Sequence, residues 1–203
     1  MTLVGAAAHA APTPGPGLSS ANDVTLNSVA ASQYALVQHA EINPIQSTDG
    51  FASAFAALSG TAANAWVQAA TVEQNGLADK LANDYLTFTF AKTTGTNGTW
   101  SITNTNTQNA TLDLVLSFHA GNNVGSFLFN NQAVGAGQTL MGDWKIQWLN
   151  NAGSADSVPD FSNLAFYTGP VQFTTAVPEP ATYGMLLGGL GLIGLIARRR
   201  RQA

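Results

Sequence analysis

Apolar and polar residues alternate with a period of two from Asp84 onward, and this pattern organises the chain. Leu86, Phe88 and Phe90 alternate with Tyr85, Thr87 and Thr89, which predicts a strand with one apolar face. Trp100 and Ile102 belong to the next strand. Between them lies Asn97-Gly98, a dipeptide suited to the positive-φ positions of a type I′ turn, so a hairpin is expected with its turn there and a loop longer than two residues. Leu112, Leu114, Leu116 and Phe118 form the clearest stripe, opposite Asp113, Val115, Ser117 and His119. After a turn at Gly121-Asn122-Asn123, Phe127-Leu128-Phe129 reads as a buried strand. Gly135 to Gly137 turns the chain again, and Trp144, Ile146 and Trp148 then share a face against Asp143, Lys145 and Gln147. A long polar loop over residues 150–159 precedes one or two closing strands carrying Leu164, Phe166, Val171 and Phe173.

Before Asp84 the signals are weaker. Asp23-Val24-Thr25-Leu26 suggests a first strand, Val29 to Val37 reads as strand or short helix, and Asn43-Pro44 marks a turn. Between residues 51 and 74, Phe51, Phe55, Leu58, Trp66, Val67 and Val72 are spaced by alanines. Helix and loop compete there, with a break near Ser59-Gly60. Short strands separated by Gly/Asn turns predict an all-β, mainly antiparallel fold, a two-sheet β-sandwich or jelly roll, with little helix and that in the N-terminal third. A parallel α/β fold is disfavoured, because the spacing leaves no room for crossover helices.

Composition narrows the class of partner. Charged residues are only 9% of the 203, so solubility rests on neutral polar groups, while ten Phe, four Trp and four Tyr argue for a packed core. Between residues 21 and 176 ten acidic residues stand against Lys80, Lys92 and Lys145, a balance of −7, which leaves no electrostatic footprint for nucleic acid. The absence of cysteine excludes disulfides, thiolate metal sites and a cysteine nucleophile.

The ends differ from the middle. Residues 1–10 form a short apolar run closing on Ala8-His9-Ala10, the pattern of a truncated signal-peptide remnant with its basic region missing; cleavage after Ala10 and a start further upstream are expected. Residues 11–22, with Pro12, Pro14 and Pro16, form a Pro/Gly linker, and residues 23–175 the β-sandwich domain. In the final segment, 176–203, Pro178 and Pro180 force Val177 and Glu179 out of the helical region, so Val177 to Pro180 should be extended and open to a protease cleft. No charge interrupts Ala181 to Ala197, and about 17 residues at 1.5 Å give roughly 25 Å of helix, just enough for a transmembrane span. Arg198, Arg199, Arg200 and Arg201 then stop transfer and hold the C-terminus on the cytoplasmic side.

A Pro-Glu-Pro motif, one short Gly/Leu-rich span and a terminal Arg cluster, in that order, resemble the PEP-CTERM sorting signal of Gram-negative bacteria. The resemblance implies recognition by exosortase, a membrane-embedded protease, with Pro178, Glu179 and Pro180 as recognition residues. It also implies export across the inner membrane, transient anchorage there, and passage to the cell surface or extracellular matrix. Gly184, Gly188, Gly189, Gly191 and Gly194 weaken the helix, which suits processing better than permanent anchorage. Gly98-Thr99-Trp100, Gly142-Asp143-Trp144 and the Leu-Asp-Leu-Val-Leu run at Leu112 to Leu116 are similar to the domains that precede this signal, in keeping with a β-sandwich.

Chemistry is sparse. No Gly-x-Ser-x-Gly, His-Glu-x-x-His or phosphate loop occurs, so no enzymatic activity is expected. His39 and His119 have no spacing that makes a metal site, and no metal ligand is assigned. Asp156 and Asp160, flanking Pro159 in an oxygen-rich loop, are candidates for Ca²⁺ or another ligand, against the plainer reading of a solvated loop. Trp66, Trp100, Trp144 and Trp148 could stack on sugar rings; Trp144 and Trp148 fit a core better, and Trp100 reads as the more open. The leading expectation is a non-enzymatic surface or matrix protein associated with exopolysaccharide or biofilm. The alternative is a lectin-like carbohydrate-binding module using Trp100 and loop Asp and Asn residues.

Overall fold

A computed structural model describes residues 19–38, 42–74, 78–79, 85–149, 157–174 and 185–190. Tertiary contacts divide the chain into two units, Met1–Phe173 and Thr174–Ala203. The first is built of antiparallel strands: β1 (Thr25–Leu26), β2 (Val29–Ala30), β3 (Gln33–Val37), β4 (Val67–Val72), β5 (Ala78–Asp79), β6 (Leu86–Thr94), β7 (Asn97–Asn104), β8 (Asn109–Ala120), β9 (Asn123–Val134), β10 (Thr139–Lys145), β11 (Phe161–Thr168) and β12 (Gln172–Thr174). Among the described residues of this unit the one α-helix, α1 (Ala52–Ser59), lies in the N-terminal third, as expected.

The strands form two main sheets. Three strands in the order β10-β7-β6 make the smaller; β3-β9-β8-β11-β4-β5, with β12 alongside β8, make the larger, and β1-β2 is a separate hairpin. The predicted stripes meet between the two sheets. Leu86, Phe88, Phe90, Trp100, Ile102, Leu140 and Trp144 from the smaller sheet share one core with Leu112, Leu114, Leu116, Phe118, Phe127, Phe129, Leu164 and Phe166 from the larger. Phe88 stacks on Phe166 at 4.7 Å between ring centroids, and Phe90 stacks on Trp144 at 5.0 Å. Such pairs add about 0.5–1.5 kcal/mol each beyond the area they bury. The result is the mainly antiparallel all-β fold that the alternation predicts, with the two main sheets sharing one core.

The second face of the larger sheet is also covered. Val115, Leu128, Ala165 and Tyr167 pack against Phe51, Ala52 and Phe55 of the α1 region and against Trp66. The alanine-rich segment favours helix, and Gly60 ends it in the left-handed region at φ 66°, donating its N–H to the Ala56 carbonyl. The Tyr167 hydroxyl donates to the Pro44 carbonyl at 2.6 Å, so the Asn43-Pro44 turn is fastened to the same face. Covered on both sides, β8 is buried well beyond a simple alternation. The hydroxyls of Ser117 and Ser126, neighbours across β8 and β9, satisfy each other at 2.8 Å inside it.

Several local expectations are corrected. The β6–β7 hairpin forms, but its turn is at Gly95-Thr96. Asn97 and Gly98 belong to β7, opposite Lys145 and Trp144. The reason is steric: a Cβ at Gly98 would collide with the Ala91 carbonyl oxygen and lie 2.8 Å from Trp144 Nε1, so this glycine serves the tryptophan rather than a turn. Val29 to Val37 is two strands, joined to β1 through Asn27 and Ser28, both at positive φ. Residues 67–72, unassigned by pattern, are a full strand between β11 and β5. Close to the first strand, Asp23 is buried, accepts from Ser19 Oγ and the Ser20 N–H, and pairs with Lys145 at 3.4 Å, tying the start of the domain to β10.

Candidate functional sites

The sorting residues Val177, Pro178, Glu179 and Pro180 and the stop-transfer residues Arg198, Arg199, Arg200 and Arg201 lie outside the described residues, as do His39 and Asp156. Of the second unit, residues 185–190 are helical, and the apolar side chains of Met185, Leu186, Leu187 and Leu190 are exposed. Six helical residues span about 9 Å. Among the described residues no helix is long and apolar enough to cross a membrane. The expected transmembrane helix, residues 181–197, falls largely outside them.

Trp100 is not open. It is 1% exposed, its indole N–H donates to the Thr25 carbonyl at 3.0 Å, and its ring packs against Phe129 and Phe166. Buried and with its only donor engaged, it cannot serve as a sugar platform. Trp144 and Trp148 are core residues too, their N–H groups bonded to the carbonyls of Ala91 and Ala120. Asp160 is exposed beside the β6–β7 turn; a Cβ at Gly95 would meet its carboxylate, and the next residue, Phe161, donates its N–H to the Gly95 carbonyl. Among the described residues no group of three or more His, Asp or Glu side chains could hold a metal ion. His119 is half-buried, and burial pushes its imidazole below the ordinary range.

Among the described residues a cleft lies elsewhere. The ladder between β8 and β9 is interrupted between Leu112 and Leu114, where Asn130 and Asn131 stand opposite Asp113 alone. This is a β-bulge, and Asn131 takes the left-handed conformation at φ 53°. Its N–H, freed from the ladder, donates to Asp113 Oδ1 at 2.8 Å, while Thr61 Oγ1 donates to Oδ2 at 2.9 Å. The Asp113 carbonyl accepts from Gly169 N–H at 2.9 Å. One aspartate thus fixes three segments: the chain after α1, the bulge, and the link from β11 to β12. Between them opens a groove of about 500 Å³ lined by Ser59, Thr61, Asp113, Asn130, Asn131 and Gln172, with the 46% exposed Leu58 and Pro170 as apolar neighbours.

The amino-acid sequence alone does not single out this groove. The signals were a carboxylate inside the Leu112–Leu116 stripe and an Asn-Asn pair at the end of an apolar strand, neither specific without the pairing register.

Comparison with known families gives a match at the C-terminal end. The PEP-CTERM protein-sorting motif matches residues 176–201, so the chain is a protein containing a PEP-CTERM sorting segment, in the position its Pro-Glu-Pro, apolar and Arg-rich parts indicate. No curated protein matches the chain, and no solved structure does.

Proposed function

We propose that the chain is an exported, non-enzymatic surface or extracellular-matrix protein of a Gram-negative bacterium, sorted by an exosortase through Val177-Pro178-Glu179-Pro180. The match of the sorting motif to residues 176–201 carries this reading. Extended, proline-stiffened residues suit a protease cleft, an uncharged Gly/Leu-rich run suits transient residence in a bilayer, and four arginines orient it. The β-sandwich is the cargo, and the reading extends to association with exopolysaccharide or biofilm outside the cell. A neutral polar composition and an acidic balance of −7 between residues 21 and 176 favour uncharged matrix partners over polyanions.

Deleting residues 177–203 in the host tests the reading. The expected result is loss of surface delivery and of the cleaved, lower-mass form; unchanged delivery and processing would sink it. Replacing Pro178, Glu179 and Pro180 by alanine separates the steps: the chain should then remain uncleaved in the inner membrane.

A further inference from the structure

We infer that the groove around Asp113 is a binding site for a neutral, hydroxyl-rich ligand, a saccharide unit of an uncharged polysaccharide. The assignment rests on the proposed delivery of the domain to a polysaccharide-rich exterior, and it places recognition at the groove, not at Trp100.

Three observations carry it. The first is volume: about 500 Å³ falls within the range of small-ligand sites and accommodates one or two sugar rings. The second is the set of groups. Asp113, Asn130 and Gln172 offer a carboxylate and two amides, the Ser59 hydroxyl beside them already donating to the Phe55 carbonyl, and no lysine or arginine lines the groove. An anionic sugar would face the Asp113 carboxylate with no cation to receive it. A divalent cation would find a single carboxylate to neutralise it. A polyol suits the same groups, because a carboxylate has about four acceptor positions and the two bonds described leave two for ligand hydroxyls. Leu58 and Pro170 supply apolar surface for the C–H face of a ring.

The third observation is rigidity. The bulge breaks the longest strand pairing of the domain and holds Asn131 at positive φ, and the carboxylate that compensates it lines the groove. Bulges re-aim side chains, and here the Asp113 carboxylate is held by Thr61 and Asn131 before any ligand arrives, which lowers the entropic cost of binding to it. An extended peptide is a poorer fit. It would bind by adding to a free strand edge, whereas β8 lies between β9 on one side and β11 and β12 on the other.

The test is saturation-transfer NMR on the full-length chain in deuterated detergent micelles, with the methyl glycosides of glucose, galactose, mannose and N-acetylglucosamine and with methyl glucuronide as the anionic control. At least one neutral glycoside should receive saturation and the glucuronide should not. The Asn130→Ala/Gln172→Ala double variant, which leaves the Asp113 bonds to Thr61 and Asn131 in place, should bind about tenfold more weakly, as should Asp113→Asn where it folds. No transfer to any neutral glycoside, equal transfer to the glucuronide, or undiminished binding by the double variant would overturn the assignment. Each of those results leaves sorting untouched, since surface delivery is read separately in the host by deleting residues 177–203.

Discussion

The indole of Trp100 lies over Gly142, its cross-strand partner. A Cβ at Gly142 would collide with the Thr25 carbonyl oxygen and sit 2.5 Å from Trp100 Nε1. Two positions away the relationship is repeated in reverse, with Trp144 over Gly98. Gly98-Thr99-Trp100 and Gly142-Asp143-Trp144 are therefore one antiparallel unit, in which each strand supplies the glycine that the other's tryptophan needs. Each indole N–H reaches past it to a carbonyl of a third segment, Thr25 for Trp100 and Ala91 for Trp144.

Gly142→Ala should consequently destabilise the domain by about 2–4 kcal/mol, combining overpacking with displacement of the Trp100 hydrogen bond. Urea denaturation should show a lower midpoint at an unchanged slope. A loss below about 0.5 kcal/mol would mean that the indole does not need this space.

This unit shows how far pattern reading reaches. The stripes of β6 and β8 were legible because bulky apolar residues alternate there with Thr, Ser or charged ones, whereas the Trp144, Ile146 and Trp148 stripe runs past the end of β10 at Lys145. Gly98 is the exception: Asn97-Gly98 reads locally as a turn, and only the register against β10 reveals that Gly98 lies beneath Trp144. Strand β4, Val-Gln-Ala-Ala-Thr-Val, was not legible, since small residues give no stripe and its place depends on β11 beside it. Trp100 looked open because exposure is a property of what covers a residue, here Phe129 and Phe166 from distant strands. The Asp113 groove escaped for the same reason, its partners Thr61 and Asn131 being 52 and 18 residues away.

Asp113→Ala should remove both acceptors at once, leaving the Asn131 N–H without its ladder bond or its substitute. The expected cost is about 1–3 kcal/mol. Asp113→Asn retains one carbonyl oxygen and should cost less. Thermal unfolding of the two variants checks the order, and equal losses would show that the second oxygen contributes nothing.

Stability should fall on both sides of neutrality. Burial holds His119 below its ordinary value of 6.5, so the unfolded chain binds more protons as pH drops through 6.5, and unfolding becomes easier until the folded-state value is passed. Burial raises Tyr34 and Tyr167 above 10.0, so their contribution is complete below pH 10 and is lost as pH rises beyond it. Urea midpoints measured from about pH 5 to pH 11 test both limbs. His119→Gln should flatten the slope between pH 5 and 6.5 relative to the parent; an unaltered slope there would assign it to other groups.

The Ser117–Ser126 pair offers the cleanest separation of hydrogen bonding from packing. Both hydroxyls are buried, 2.8 Å apart, between the faces of β8 and β9 that α1 and its neighbours cover. Replacing one serine by alanine strands the other hydroxyl without solvent, and each single variant should lose about 1–3 kcal/mol. Replacing both removes the unsatisfied group and leaves two small side chains in an otherwise apolar layer. The double variant should therefore be more stable than the sum of the single losses predicts, with a coupling energy of about 1 kcal/mol or more. A double-mutant cycle by chemical denaturation measures that coupling. Additive losses would show that each hydroxyl finds another partner when its neighbour is removed, and that the pair is incidental to the way the larger sheet is buried on both sides.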